Sequence, residues 1–400
     1  MRPVCLSKAG PRRCTEIMAS PLIFLLAGEP SGDALGADLM RALKHKTDEH
    51  VRFVGVGGPA MEAEGMTSLF PMSELSVMGL VEVLPRLRTL LDRIRETVQA
   101  VRDLEPDVVV TIDAQDFSYR VARTLAPAPC PVVHYVAPTV WAWKPRRAKK
   151  VAAVVDRLLL LFPFENRWWD AVGQDNVFVG HPIADLQMVV PSTEAVKTGH
   201  RLALLPGSRA GEIRRHLPIF RLVVERLLES HPRLEVVLPT VENVADLVRD
   251  GLRDWPVGVH VHLGSPEERR ALLATADAAL AVSGTVALDL AAAGVPHVIA
   301  YKANPLTAAI VRRMLTIRYV SLVNLIADAP VTPELLQEWC TVDSLVREVA
   351  RLLDDPEAAD RQRQGMSSVI ASLRPEGVSP SNRAASAVLD IMQDASQGAV

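Results

Sequence analysis

Cysteine is scarce in this 400-residue chain: Cys5, Cys14, Cys130 and Cys340 stand far apart, with no CxxC pair. That spacing argues against a disulfide framework and a cysteine-built zinc site, and it fits a reducing cytoplasm. Positive charge is not in excess either, the formal net charge being −3. A protein that holds nucleic acid through bulk electrostatics needs a clear basic surplus, so no nucleic-acid partner is expected. No stretch reaches the roughly 18 uncharged apolar residues of a membrane-spanning helix. The opening MRPVCLSKAGPRRCTEI is basic but has no apolar signal-peptide core, so export is not indicated. Residues 1–20 read as an N-terminal extension, expected to be disordered, with Met18 as an alternative start. There is no GxxxxGK[ST] loop and no DxD pair. Neither ATP hydrolysis nor a metal-chelated diphosphate is implied, and the site is expected to work without metal or cofactor.

The chain is 49% hydrophobic and 23% charged, and it is long enough for two cores. Short β-rich runs alternate with helical patterns, which predicts parallel α/β architecture. Strands are expected at 21–28, 51–58, 106–113, 131–138, 157–162 and 176–180, then at 201–209, 233–240, 258–264, 278–284 and 296–302. The predicted organisation is a domain over 21–182, a linker over 183–200 and a second domain over 201–370. A helical segment over 371–400 is expected to return to the first domain. Two doubly wound parallel sheets then face each other across a cleft, with ligands at the carboxyl ends of the strands.

Several strand-to-helix loops could carry chemistry. LLPGSRAGEI (204–213) offers close backbone approach at Gly207, a hydroxyl at Ser208 and a charge-assisted donor at Arg209, all suited to phosphate. The plainer reading is a βα turn in which Arg209 pairs with Glu212. AVSGTVALDLAAAGVP (281–296) adds Ser283, Gly284 and Thr285, whose hydroxyls and free amides can converge on a diphosphate. Asp289, about one helical turn on, is placed to accept from ribose hydroxyls.

The first half offers the opposite sign. TIDAQDF (111–117) ends a strand with Asp113 at its carboxyl edge, where a general base or hydroxyl acceptor would sit, and Asp116 reads as a helix cap. AGEPSGDALGA (27–37) has the strand–glycine–helix layout of a phosphate cradle, but Glu29 and Asp33 make it a poor anion site. Its glycines are expected to admit a hydroxyl-rich sugar, with Ser31 and Asp33 on the acceptor side and Glu29 as acceptor or second base. HYVAPTVWAWKPRRAKK (134–150) combines Trp141 and Trp143 with Arg146 and Arg147, a mixture suited to a sugar phosphate or an anionic lipid surface, or else to tryptophans packed under a basic helix. LSVMGLVEVLPRLR (75–88) carries Met78, Leu80 and Val81 beside arginines, as a membrane-lying or acyl-binding element would, although core is the commoner role.

Together these stretches resemble the lipid-A-disaccharide synthases of Gram-negative envelope biogenesis. The matches are AGEPSGDALGA, VMGLVEVL (77–84), IDAQDF (112–117), YVAPTVWAWKPRR (135–147), VGHP (179–182), LLPGSRAGEI, SGTVALD (283–289), YKANPLTA (301–308) and YVSLVNLIADAPVTPELLQ (319–337). The resemblance implies a GT-B fold and an inverting transfer from UDP-2,3-diacylglucosamine to the 6-hydroxyl of 2,3-diacylglucosamine 1-phosphate. It also implies a peripheral enzyme on the cytoplasmic face of the inner membrane, with an anionic lipid surface as partner, and it allows a homodimer. By position, Asp113 matches the family's general base and Glu29 a further carboxylate of the site. Ser208, Arg209, the Ser283-Gly284-Thr285 turn, Asn324 and Gln337 match nucleotide contacts. Asp289 departs from the family's usual Glu, Val323 from Pro and Ala137 from Ser. The alternatives are a UDP-N-acetylglucosamine 2-epimerase, another GT-B enzyme with a soluble acceptor, or a non-catalytic UDP-sugar sensor.

Overall fold

The computed structural model describes residues 20–75, 80–143, 145–186, 199–304 and 317–398, without side chains at 80–87, 142, 143, 145, 146 and 398. The N-terminal extension with its alternative start, Met78 and most of the linker therefore lie outside the described residues. Leu80, Val81, Trp143 and Arg146 fall in helices, but their side chains lie outside them too.

Two parallel six-stranded sheets form the scaffold. The first contains β1 (Leu22–Ala27), β2 (Arg52–Val56), β3 (Val108–Ile112), β4 (Val132–Tyr135), β5 (Arg157–Leu160) and β6 (Asn176–Phe178), in the order β2-β1-β3-β4-β5-β6. The second contains β7 (Arg201–Leu205), β8 (Glu235–Thr240), β9 (Val259–Leu263), β10 (Ala278–Val282), β11 (His297–Tyr301) and β12 (Glu334–Leu336), in the order β12-β11-β10-β7-β8-β9. Central strands such as VVVTI and AALAV are buried throughout, because helices cover both faces and no side needs polar residues. The alternation of side chains still decides which core each residue joins. Ile23, Leu25 and Ala27 enter one cluster while Phe24 and Leu26 enter the cluster on the opposite face. β7 divides in the same way, Leu202 and Leu204 to one side and Ala203 and Leu205 to the other. Each such fully buried large side chain contributes about 1.5–3 kcal/mol relative to exposure.

Topology fixes where a ligand can sit. β1 lies between β2 and β3, and β7 lies between β8 and β10, so the crossovers leave these strands on opposite sides and open a crevice at their carboxyl ends. Among the described residues, β12 is the one strand absent from the sequence reading. It is three residues long, ELL, too short for either periodicity to register. The helix Pro380–Gly398 lies against the helix Pro30–Lys46 and adds Ala384, Ala385, Val388 and Ile391 to the first domain's core. Arg157 Nη1 donates to the carbonyl of Ala387 at 3.0 Å across this contact. Where the chain crosses between the halves, the His181 amide donates to the Leu373 carbonyl at 3.0 Å, and Arg374 meets Asp185 at 3.4 Å.

Candidate functional site

Register brings the first domain's carboxylates together. Leu26 pairs with Thr111 and Ala27 with Ile112, so β1 and β3 end level and release Glu29 and Asp113 at the same edge. Glu29 is the residue preceding the 30–46 helix, in an extended conformation, and its side chain caps nothing. Asp113 and Ala114 both take left-handed backbone angles, with φ of 50° and 44°. Non-glycine residues adopt such angles at a cost, which concentrates at functional sites. Two contacts hold the turn: the Asp113 amide donates to the Tyr135 carbonyl at 2.9 Å, and Ser118 Oγ donates to the Asp113 carbonyl at 2.8 Å.

The electrostatics follow from this crowding. Burial raises the Asp113 carboxyl above its ordinary range, and hydrogen bonds from the Ala114 amide and the Ser31 hydroxyl pull it partly back. Glu29 is raised as well, by burial first and then by the charge of Asp113. Glu29 and Asp113 therefore form a half-buried acidic pair at the switch point of the first sheet, with the exposed Ser31 beside it.

Asp33 does not belong to it. Its side chain is turned inward, 5% exposed, and accepts from Gly58 and Met61 amides at Oδ1 (2.8 and 3.0 Å) and from the Ala60 amide at Oδ2 (2.9 Å). It caps the helix Pro59–Ala63 from outside that helix's own sequence, so its expected place on the acceptor side is corrected. The loop's glycines are corrected too. A Cβ on Gly28 would stand 2.7 Å from Ala114 Cβ, one on Gly32 would stand 3.3 Å from the Ile112 carbonyl, and one on Gly36 would strike Met61. They admit neighbouring protein, not a sugar.

The tryptophan motif divides likewise. Trp141 is buried, donates Nε1–H to Glu165 at 3.1 Å and meets Phe164 edge-on at 5.1 Å. Burial pushes the Glu165 carboxyl up to about 7 against the hydrogen bonds from Phe162, Trp141 and Leu161. Trp141 is thus a core residue, the packed-tryptophan alternative, and its expected place among the acceptor or lipid contacts is corrected. Arg147 pairs with Asp116 at 3.0 Å. Asp116 makes no cap: the helix Gln115–Leu125 starts after Ala114 with no side-chain cap, and Asp116 lies 92% exposed in its first turn.

In the second domain, Leu205 pairs with Ala281, so the loops after β7 and β10 meet at that sheet's switch point. They enclose a cavity of about 370 Å³ that gathers Gly207, Ser208, Arg209, Ser283, Gly284, Thr285 and Asp289, the cluster expected for a diphosphate and ribose. Gly207 has φ of 116°, and a Cβ there would collide with Glu212. Only glycine lets the loop fold so closely over its own helix. Glu212 accepts from the Ser208 amide and from Arg209 Nη1, each at 3.1 Å, so the Arg209–Glu212 pair is made, with Arg209 77% exposed. These two donors suit a phosphate as well as they suit a carboxylate. Ser283 Oγ donates to the Val320 carbonyl at 3.2 Å.

Sequence reasoning missed Arg269. It lines the same cavity, stands 3.9 Å from Asp289 and keeps a buried Nε without a hydrogen-bond acceptor. Burial raises the Asp289 carboxyl and Arg269 and Arg270 lower it, so the Asp in place of Glu lies beside a cation. A capping box of Ser265 and Glu268 sets the start of the helix Pro266–Leu273 and so the phase of Arg269. That box was legible in GSPEE, but the partner on another helix was not.

Asn324 and Gln337 fall outside this cavity's lining. Asn324 is buried, donates to the Thr332 carbonyl and Glu334 at 2.8 Å each, and accepts from the Thr332 amide at 2.8 Å. With its amide group used internally it positions the 320–334 region, which corrects the expectation that it touches nucleotide. Gln337 has φ of 50°, and its Oε1 accepts from the Ala303 amide at 3.3 Å. No helix among the described residues is long and apolar enough to cross a membrane.

Comparison with known proteins adds to this geometry. The family model for lipid-A-disaccharide synthetase matches residues 23–388. A lipid-A-disaccharide synthase of Rhodospirillum centenum is 48% identical over 380 residues, covering 93% of this chain and 94% of the relative. Among solved structures, the glycotransferase of kitacinnamycin superposes with a TM-score of 0.61 at 19% identity, over 94% of this chain and all of the other. A putative UDP-N-acetylglucosamine 2-epimerase from Listeria monocytogenes gives 0.61 at 15% identity, over 89% of this chain and 95% of that one. Those two likenesses establish the two-domain GT-B fold, which transferases and epimerases share. The long family match and the high identity go further: the chain belongs to the lipid-A-disaccharide synthase family, glycosyltransferases of lipid A biosynthesis.

Proposed function

We propose that the chain transfers 2,3-diacylglucosamine from its UDP donor to the 6-hydroxyl of 2,3-diacylglucosamine 1-phosphate, with inversion at the anomeric carbon. The observation that carries this reading is the division of charge between the two switch points: paired carboxylates at the first, donor loops and arginines at the second. In the transfer, the acceptor oxygen forms its bond to the anomeric carbon as the bond to the diphosphate oxygen breaks. The hydroxyl proton passes to Asp113, held in place by Ser31, and Glu29 orients the acceptor. Negative charge arriving on the leaving UDP is met by the 207–209 loop, the 283–285 turn and Arg209, so no metal is required for this step. Arg269 steadies the nucleotide end of the cavity beside Asp289.

Hydrogen bonds to charged groups contribute about 1.5–3 kcal/mol, so Arg209→Ala is expected to weaken UDP binding by about tenfold or more. Arg269→Ala is expected to weaken it by a similar amount, also leaving Asp289 without its nearest cation. Calorimetric titration of UDP into each variant is the check; unchanged affinity in both would remove the nucleotide from this cavity.

Acylated substrates require a lipid interface, so the chain is proposed to lie on the cytoplasmic face of the inner membrane. Basic residues of the helix Pro145–Ala152, which carries Lys149 and Lys150 in its last turn, support that orientation. Salt-sensitive co-sedimentation with anionic vesicles tests it. A sensor that binds UDP-sugar without transferring it has no use for two neighbouring half-buried carboxylates, Glu29 and Asp113, at the first switch point.

A further inference from the structure

The amino end of the second sheet, opposite the carboxyl end that carries the cavity, holds a cluster that the transfer does not use. His200 stands immediately before β7, His231 follows the helix Ala210–Ser230, and Asp354 ends the helix Val342–Asp354. β7 separates this corner from the donor loops by five residues of strand, roughly 17 Å. One ligating atom from each of the three residues lies within 4.8 Å of the others. His231 Nε2 is 2.8 Å from Asp354 Oδ1, and the two imidazole rings meet at 5.5 Å and 73°.

The backbone around the trio is tightly set. A Cβ on Gly199 would stand 2.4 Å from the Arg233 carbonyl oxygen, so glycine lets the segment entering β7 close against the 231–235 turn. The Glu235 amide then donates to the His200 carbonyl at 2.9 Å, and the Leu234 amide to the His231 carbonyl at 3.0 Å. Both histidines are half-buried, while Asp354 is exposed and able to rotate.

Ser230 completes the arrangement. Its Oγ lies 2.9 Å from His231 Nδ1 and 3.2 Å from the Leu227 carbonyl. With a proton on Nε2, His231 donates to Asp354 and the serine hydroxyl donates to Nδ1. With the proton on Nδ1, the ring donates to Ser230 Oγ, whose own hydrogen turns to the Leu227 carbonyl. The second tautomer frees the Nε2 lone pair and keeps the Ser230 and Leu227 contacts, while Asp354, which gives up its donor, is exposed to solvent. Outer hydrogen bonds of this kind orient imidazoles that bind metal.

We propose that His200, His231 and Asp354 bind a divalent transition-metal ion, with zinc the best fit, and that the ion staples the entry to the second domain onto two of its helices. Two imidazoles and a carboxylate form a borderline donor set that suits zinc, whereas magnesium prefers oxygen alone. Tetrahedral donors stand roughly 3.3 Å apart, a spacing the trio reaches by side-chain rotation. No spacing motif announces the site, because its members come from three distant stretches of chain. A bare His231–Asp354 ion pair would not need His200.

The test is titration of zinc chloride alone into the chelator-treated full-length chain by calorimetry, with a thermal melt in parallel. One zinc per chain is expected, with a melting temperature that rises as zinc is added. Asp354→Asn, an exposed and nearly isosteric change, and His200→Gln should each weaken binding about tenfold or more. Both should leave the metal-free melt and the turnover unchanged. The absence of one-to-one binding at micromolar zinc overturns the proposal, as does binding that survives both substitutions.

Discussion

Asp113→Asn is expected to lower kcat by about 10²- to 10⁴-fold, the range ascribed to a positioned general base, while UDP affinity stays within about twofold. The two effects separate because Asp113 ends β3 of the first domain while the nucleotide loops follow β7 and β10 of the second. The pH dependence should carry the same signature. Burial holds the Asp113 carboxyl above the ordinary carboxylate range, so the acid limb of kcat/KM in the parent should lie above it too, and the variant should lose that limb. Stability should move the other way. A carboxyl raised in the fold contributes stability that is fully present below its unfolded pKa and lost as pH rises through its folded one. At neutral pH the ionised group is therefore a net cost, and the amide variant should melt no lower than the parent. Steady-state kinetics, UDP calorimetry and a melt at pH 7.5 read all three. Near-normal turnover would take the base's role away from Asp113.

The second large effect falls on stability. Asp33→Ala removes the acceptor of three backbone amides at the start of the helix Pro59–Ala63, in a place that solvent hardly reaches. At about 1 kcal/mol for each lost bond, the first domain should be destabilised by about 3 kcal/mol. Asp33→Asn should cost less, since its remaining oxygen can still serve Gly58 and Met61. Urea unfolding followed by a probe in the first domain measures the difference. A change under about 0.5 kcal/mol, the usual range for surface substitutions, would mean that Asp33 does not hold this corner.

These two aspartates mark how far the sequence could be read. Strand-forming runs were legible, and with them the carboxyl-edge position of Asp113 and the two donor loops, although the runs expected at 131–138 and 201–209 end at Tyr135 and Leu205. Glu29 and Asp33 looked alike as loop carboxylates. What separates them is the path of the 57–61 segment, which passes over one face of the 30–46 helix and takes Asp33 for its own amides. Local periodicity contains no such tertiary term. Trp141 was ambiguous for the same reason, its partner Glu165 coming from the loop after β5. Arg269 and the buried network of Asn324, Thr332 and Glu334 depend on contacts between elements, and nothing in their local sequence marks them as belonging to a site.

The most direct measurement supplies purified protein with UDP-2,3-diacylglucosamine and 2,3-diacylglucosamine 1-phosphate in anionic vesicles, then analyses nucleotide and lipid products together. The expected result is UDP and a β-1,6-linked tetraacyl disaccharide 1-phosphate in equal amounts, both abolished by omitting the acceptor. Absence of the disaccharide from folded, UDP-binding protein would contradict the account, as would epimerisation of soluble UDP-N-acetylglucosamine in its place.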